Sequence, residues 1–240
     1  KVFGGEKVIT NLDLTLHQSE TLAVLGQSGC GKTTLLKILA GLEGLDNGKI
    51  SLNNVDITDI SPKDRGIVYL YQEALLFPHL TVFENIAFGL RLRGLPDSEI
   101  MSLVTAKIEG LELIDHIQKM PNQLSGGQMQ RVNFGRALIV NPKVLLLDEP
   151  FGALDSLTRT RMQTLFKKVT KRDKITSIFV THDLKEALLM GDRFAHMAGG
   201  VLKTYSNKES FINDPKVGIN EEMIFWKNLN IKNNETTRGK

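Results

Sequence analysis

A glycine-rich run near the start of the chain has the residue types needed to hold phosphate. It matches the pattern G-x-x-x-x-G-K-[ST] and reads Gly26-Gln27-Ser28-Gly29-Cys30-Gly31-Lys32-Thr33. Its glycines let the backbone curl so that successive N–H groups face phosphate oxygens, and a helix predicted from Lys32 adds the positive end of its dipole. The Lys32 ammonium can reach the β- and γ-phosphates, and the Thr33 hydroxyl can ligate Mg²⁺. The run therefore predicts a site for a nucleoside triphosphate with Mg²⁺, and Cys30 is interpreted as a small filler residue within it.

Two adjacent acids follow a continuous apolar run at 144–147. Such a run is typical of a strand buried on both faces of a parallel sheet, and ligands collect at the carboxyl ends of these strands. Asp148 is therefore predicted to serve the metal, and Glu149 to polarise an attacking water. Since neighbouring side chains alternate in direction along a strand, the two acids are expected to have different tasks.

A second candidate anion site lies at Leu124-Ser125-Gly126-Gly127-Gln128. Ser125 is predicted to be the N-cap of a helix, and the two glycines leave backbone N–H groups open at its start. One nucleotide has no obvious need for two such sites from the same chain. The second site is therefore expected to serve a nucleotide held by another copy.

Together these motifs resemble the ATP-binding cassette (ABC) ATPases. The resemblance implies that two cassettes pair head-to-tail, with residues 125–128 of each acting as the signature that closes the other's ATP site. It implies that Gln72 touches Mg²⁺ and the water, and that His182, after a buried strand, is the switch histidine at the γ-phosphate. It also implies that Asp155 lies at the dimer seam and that Phe3 stacks on adenine. The ATP contacts are then Phe3 and the loop through Thr34, the metal ligands are Thr33, Gln72 and Asp148, and the catalytic residues are Glu149, His182, Gln72 and Lys32.

The elements that position these residues can be predicted from apolar periodicity. Alternating apolar residues predict a half-buried strand over Val8–Leu16, and short apolar runs predict strands at 21–25, 49–52, 67–71, 144–147 and 177–180. Helices are predicted at 32–40, 125–140, 156–170 and 184–190, and a hairpin is predicted around Gly199-Gly200. The fold class is α/β: a P-loop NTPase core with a parallel sheet, an N-terminal antiparallel β subdomain and an inserted helical subdomain.

A single ABC ATPase domain is expected to fill residues 1–240. Its α/β core is assigned to 1–81 and 141–212, because 82–140 has helical spacing and contains no convincing strand. Residues 213–240 are assigned as a C-terminal tail, which from Asn228 is rich in Asn, Lys and Thr and is expected to fray. Since the chain starts at Lys1, inside a strand pattern, we expect it to be a trimmed fragment.

Composition excludes several classes of protein. The chain has 30 Lys and Arg against 27 Asp and Glu, so its small excess of base does not indicate a nucleic-acid partner. One cysteine excludes an internal disulfide and fits a reducing compartment. No apolar run approaches the roughly 20 residues that span a bilayer, and no signal peptide is visible.

The stretch from Leu75 to Ile86 resembles the part of bacterial importer ATPases that grips a coupling helix of a membrane subunit. The other interpretation is that Leu76, Phe77, Leu80 and Val82 pack the helical lobe, and we expect some of them to do both. The importer reading implies ATP and Mg²⁺ as cofactors. It also implies a second ABC ATPase subunit (a homodimer or a sister cassette), transmembrane permease subunits, a solute-binding protein, and a place at the cytoplasmic face of the cell membrane.

The type of importer is less constrained. Gln130-Arg131 and the run from Phe151 to Asp155 look like importer ATPases of the sugar, polyamine, iron and sulfate type. Many of those carry a further C-terminal domain, for which this chain is too short. It therefore resembles more closely the single-domain relatives for nitrate, sulfonate or amino acids, or a truncated chain. The alternative function is a soluble ABC ATPase acting on nucleic acid or ribosomes, but there is no coiled-coil insertion, second cassette or basic patch to support it.

Overall fold

The computed structural model describes residues 1–217, and the tail predicted from Asn228 lies outside this range. Ten strands run through the described chain: β1 Val2–Phe3, β2 Glu6–Lys7, β3 Thr21–Leu25, β4 Ser51–Leu52, β5 Val55–Asp56, β6 Ile67–Leu70, β7 Val144–Asp148, β8 Ser177–Thr181, β9 Arg193–Ala198 and β10 Val201–Tyr205. Its α-helices are α1 Lys32–Ala40, α2 Val82–Leu92, α3 Asp97–Gly110, α4 Gly126–Ile139, α5 Ser156–Arg172, α6 Leu184–Met190 and α7 Lys208–Ile212. Short 3₁₀ turns lie at Pro62–Asp64, Ile114–His116, Pro121–Gln123 and Pro215–Val217.

Six strands form the central sheet, in the order β10-β9-β3-β8-β7-β6. All neighbours are parallel except β9 and β10, which form the antiparallel hairpin predicted around Gly199-Gly200. Every residue of β3, β7 and β8 is buried, because helices cover both faces of the sheet. Alternate residues of β3 enter two separate cores: Ala23 and Leu25 join one, whereas Leu22 and Val24 join the other.

The helical lobe is built from α2, α3 and α4. Thr81 caps α2, and its hydroxyl accepts a hydrogen bond from the Glu84 N–H. Ile86, Val104 and Val132, one from each helix, are fully buried in the same core. In the described chain no strand interrupts residues 82–140, as the helical spacing predicts.

The predicted strand over Val8–Leu16 is wrong. Leu12, Leu14 and Leu16 are half-buried and alternate with exposed neighbours, so the apolar pattern does report burial against the second core. However, the segment joins no ladder, and Asn11 has a left-handed backbone with φ of 46°. The antiparallel N-terminal part is limited to two small hairpins, β1–β2 and β4–β5.

Candidate functional site

The carboxyl ends of β3, β7 and β8 meet at one edge of the sheet. Leu25, the last residue of β3, pairs with Thr181, and Asp148, the last of β7, pairs with Val180. The glycine-rich loop, Glu149 and His182 follow these three ends directly. Residues far apart in sequence are thereby brought to the position where parallel α/β sheets bind ligands.

The glycine-rich loop wraps around the Lys32 side chain. Lys32 is only 5% exposed, and its ammonium donates hydrogen bonds to the carbonyls of Gly26 at 2.7 Å and Gln27 at 3.0 Å. Gly31 caps α1 with φ of 106°, and a Cβ there would lie 2.9 Å from the Val8 carbonyl oxygen, so this position needs glycine. The side of the loop that faces solvent carries Gln27, Ser28 and Gly29, whereas Cys30 and Thr34 are half-buried.

Glu149 lies between Lys32 and His182. One carboxylate oxygen is 2.7 Å from His182 Nδ1, and the other is 3.7 Å from the Lys32 ammonium. Glu149 is not part of β7: its backbone is left-handed, with φ of 44°, which is unusual for a residue with a side chain. This turn, rather than strand alternation, is what separates Glu149 from Asp148. A cavity of about 580 Å³ is lined in part by Gln27 and Ser28 of the loop and by His182.

Asp148 has a different environment. It is 9% exposed, and one of its carboxylate oxygens accepts a 2.7 Å hydrogen bond from the Tyr69 hydroxyl. Burial, together with this hydrogen bond, raises the pKa of Tyr69, so the phenol remains a donor. The sequence analysis did not identify Tyr69. The available signal was a hydroxyl on the strand that pairs with β7.

The predicted metal ligands suit Mg²⁺ in their chemistry. A hydroxyl from Thr33, an amide oxygen from Gln72 and a carboxylate from Asp148 are all hard oxygen donors. Mg²⁺ keeps several waters and takes few protein ligands when phosphates supply the rest. Residues 1–217 contain no group of three or more His, Cys, Asp or Glu side chains with metal-binding geometry. Thr33 is exposed at the start of α1, where the loop ends.

Gln72 lies at the entrance to the helical lobe. A Cβ on Gly152 would be 3.1 Å from the Gln72 side-chain nitrogen, so this amide lies against the loop that leads to Asp155. The buried Gln130 amide donates to the carbonyl oxygens of both Gln72 and Pro150. Gln130, on α4, therefore joins the Gln72 segment to the residue that follows Glu149, a connection that sequence reasoning did not assign.

Asp155 is the N-cap of α5. Its carboxylate accepts hydrogen bonds from the N–H groups of Leu157 at 3.1 Å and Thr158 at 3.0 Å. Hydrogen bonds from Thr158, first from its side chain and then from its backbone, lower the pKa of Asp155. Because the folded state holds the carboxylate ionised, its contribution to stability is present near neutral pH and is lost as the pH falls into the acid range.

Replacing Asp155 with alanine is expected to lower the melting temperature by about 2 to 4 °C, because it removes a helix cap. Asp155→Asn should leave the melting temperature unchanged, since asparagine caps equally well. Thermal unfolding followed by circular dichroism measures both. If Asp155→Asn slows hydrolysis without a thermal effect, the carboxylate also acts at the dimer seam. Equal melting temperatures for Asp155→Ala and wild type would contradict the cap.

Ser125 caps α4 as the sequence predicts. Its hydroxyl accepts from the Gln128 N–H at 3.3 Å, and its own N–H donates to the Gln128 side-chain oxygen at 2.9 Å, which completes a capping box. Ser125 and Gly126 are exposed. The hydrogen bonds formed by the side chains of 125–128 join them to one another and to His116, and within residues 1–217 none reaches the glycine-rich loop.

The two glycines of this motif differ in their surroundings. A Cβ on Gly127 would lie 2.4 Å from the Thr158 Cγ2 atom of α5, so packing requires glycine there. A Cβ on Gly126 would meet only Leu154, at an ordinary 3.7 Å. Apart from its chain neighbours and the backbone of its own helix, no other atom of the described residues lies within 4 Å of that Cβ position.

Phe3 is not brought to the loop by any contact recorded for the described residues. It lies in β1, is 43% exposed, and has the Lys1 ammonium 4.9 Å from its ring centroid. An exposed ring suits stacking on a base. Its role at adenine remains a prediction.

The segment after Gln72 is divided between packing and exposure. Val82 is buried and Leu76 packs against the core, whereas Leu75 is 56% exposed. The Arg136 guanidinium of α4 lies 4.4 Å from the centroid of the Phe77 ring and donates to the Leu75 carbonyl. A groove of about 160 Å³ between β6 and the helical lobe lies beside Arg136. Leu76 and Val82 therefore act in packing, and Leu75 is available to a partner.

Comparisons with known proteins agree with this arrangement. A family model described as ABC transporter matches residues 9–152. The spermidine/putrescine import ATP-binding protein PotA of Salmonella typhimurium is 46% identical over 216 residues, which cover 90% of this chain and 57% of that relative. The Vibrio vulnificus protein of the same name is 44% identical over the same shares. The chain thus spans a little more than half the length of these relatives, which are named for polyamine import rather than for nitrate, sulfonate or amino-acid uptake.

A solved structure is also similar. It is the dimeric, post-hydrolysis state of the ATP-binding cassette MJ0796 bound to ADP and Pi. Its TM-score is 0.72 at 30% sequence identity, and the match covers 83% of this chain and 91% of that chain. No helix within residues 1–217 has both the length and the apolar character needed to cross a bilayer.

Proposed function

Because this chain belongs to the ABC transporter family, we propose that it binds and hydrolyses Mg-ATP as one of two paired cassettes that drive import through a separate membrane permease. The relatives named for spermidine and putrescine import support a polyamine as the cargo. The partners proposed are a second ABC ATPase subunit, permease subunits and a solute-binding protein. The chain would then work at the cytoplasmic face of the membrane.

The observation that carries the proposal is the separation of two complementary half-sites. Lys32, Glu149 and His182 converge at the edge of the sheet, whereas the exposed Gly126 lies in the first turn of α4, where backbone N–H groups have no partner within the helix. A nucleotide on the loop lacks donors on its exposed side until another molecule supplies them. A second copy carries those donors, so binding of ATP favours the paired state.

The residues of the site divide the chemistry among themselves. The loop N–H groups and Lys32 bind the phosphates, and the metal, when bound, neutralises charge on the β- and γ-phosphates. Glu149 accepts the hydrogen bond of the attacking water and orients it for in-line displacement. His182 holds the Glu149 carboxylate through its Nδ1 contact at 2.7 Å, and on this proposal it would also contact the γ-phosphate. Closure of the dimer excludes bulk water and strengthens these electrostatic contacts.

Gln72 and Leu75 are proposed to connect hydrolysis to the membrane subunit. Gln130 joins the Gln72 carbonyl to Pro150, which directly follows Glu149. Leu75 is exposed three residues beyond Gln72, and Arg136 fixes its carbonyl to α4. Movement of α4 on closure would therefore move the surface offered to the permease. The metal ligands Thr33, Gln72 and Asp148 belong to the same proposal.

The test is reconstitution of the chain with its permease in proteoliposomes. The genomic neighbours supply the permease, and labelled spermidine with ATP inside the vesicles is the assay. We expect uptake that needs ATP and a matching solute-binding protein, and that is lost with Lys32→Ala. If a different solute is taken up instead, the assignment of a polyamine as the cargo is wrong, but the importer function stands. Isolation of the native chain on ribosomes or DNA, with no permease attached, would overturn the importer proposal.

A further inference from the structure

The side chain of Gln128 is held at both of its ends. Its oxygen accepts the Ser125 N–H at 2.9 Å, and its nitrogen lies 2.8 Å from His116 Nε2. His116 ends the 3₁₀ turn Ile114–His116, which precedes α4 in the chain. The contact is partly buried and joins residues 12 positions apart. Thus a residue outside the signature restrains a residue within it.

The hydrogen bonds select one form of the histidine. Since the Ser125 N–H is a donor, the atom it faces must be the amide oxygen of Gln128. The amide nitrogen, a donor only, therefore faces His116 Nε2, which must be the acceptor. The imidazole is then neutral, with its proton on Nδ1. That nitrogen is buried and has no hydrogen-bond partner among residues 1–217. The alternative tautomer would place two donors against each other at 2.8 Å.

We propose that His116 is a positioning residue for the signature, acting through Gln128 as an obligatory hydrogen-bond acceptor. The inference rests on the proposed function, because the signature matters only when a second copy presents its nucleotide. With its amide fixed at both ends, Gln128 keeps the capping box closed and holds the first turn of α4 in place. The exposed N–H groups of that turn are then preorganised for the partner's γ-phosphate. Without His116 the amide is free to rotate, and a partly buried donor loses its partner.

The tautomer can be measured directly in the isolated chain. Nitrogen-15 NMR distinguishes Nδ1–H, Nε2–H and imidazolium forms, and His116→Gln identifies the signal. The proposal expects the Nδ1–H form at neutral pH. An Nε2–H form or an imidazolium would overturn it. This measurement needs neither nucleotide nor activity, so it is independent of the proposed function.

The effect on the dimer is measured with a matched pair of variants in an otherwise wild-type or Glu149→Gln background. His116→Phe keeps a planar ring but removes the acceptor, whereas His116→Gln keeps an oxygen near the Nε2 position. We expect His116→Phe to weaken the ATP-dependent dimer about threefold to tenfold and to lower the melting temperature by about 2 to 4 °C, with unchanged ATP binding to the monomer. His116→Gln should restore dimerisation. Equal dimerisation of both variants and the parent would overturn the proposal.

The same experiment distinguishes a failure of the proposed function from a failure of the role proposed for His116. If the parent chain forms no ATP-dependent dimer and does not hydrolyse ATP, the proposed function fails and the inference falls with it. If the parent dimer is normal and His116→Phe does not alter it, only the inference fails. If His116→Phe does not fold, the NMR measurement on the unaltered chain still decides between acceptance and rejection.

Discussion

Replacing Glu149 with glutamine is expected to slow ATP hydrolysis by about 10²- to 10⁴-fold, because the acceptor that orients the water loses its charge. Glutamine has the same shape and can still contact His182 from its place beside Lys32. Binding of ATP should therefore persist, and the paired state, no longer resolved by hydrolysis, should accumulate. Size-exclusion chromatography with ATP measures the dimer, and phosphate release measures the rate.

A matched control is available on α3. Glu99 is exposed and far along the chain from the strand ends, so Glu99→Gln should hydrolyse ATP at the wild-type rate without forming a lasting dimer. Hydrolysis by Glu149→Gln within a fewfold of wild type would mean that another group orients the water. Loss of ATP binding instead would mean that Glu149 serves the loop by contacting Lys32.

Placing aspartate at Gly126 should reduce hydrolysis by about 100-fold or more, because a carboxylate would face the partner's γ-phosphate where N–H donors are needed. The fold should tolerate the change, since Gly126 is exposed, a Cβ there meets only Leu154 at 3.7 Å, and aspartate suits the first turn of a helix. Gly127→Ala differs, because its Cβ would lie 2.4 Å from Thr158 Cγ2 and should lower stability. Thr158→Ser removes the Cγ2 atom and should restore the stability of the Gly127→Ala variant.

Mixed dimers determine whether the signature works across the seam. Lys32→Ala in one copy and Gly126→Asp in the other damage the same composite site if the signature acts in trans, and the second site stays intact. Both changes in one copy, paired with a wild-type partner, then damage both sites. We expect about half of the wild-type rate in the first arrangement and a near-complete loss in the second. The reverse result would show that each signature serves its own nucleotide.

The parts of the fold that were predictable are those specified by local signals. Continuous apolar residues identify β7 and β8, because both faces of these strands are buried. The loop and Ser125 were predictable because backbone curvature and capping depend on residues close in sequence. Val8–Leu16 shows the limit: its alternation reports which side chains are buried, but a strand also needs a neighbouring edge to pair with, and that edge is set by the rest of the fold.

Contacts between distant parts of the chain were not predictable. Tyr69 and Asp148 are 79 residues apart in the sequence, and Gln130 and Gln72 are 58 apart. At such separations the spacing of residue types along the chain does not indicate which side chains meet. His116 is closer to Gln128, but its role depends on which nitrogen carries the proton. That choice follows from the geometry of three hydrogen-bonding groups and cannot be read from residue types.

The left-handed backbone of Glu149 lowers the stability of the fold at the same position that is proposed to act in hydrolysis. A non-glycine residue with φ of 44° costs about 1 to 2 kcal/mol relative to glycine. Selection for thermal stability alone would therefore favour glycine or asparagine at residue 149. On the proposed mechanism, a requirement for turnover is what keeps glutamate at this position. An engineer seeking a more stable version of the protein would then have to gain stability elsewhere, because a strained residue of the edge is also the one proposed to orient the water.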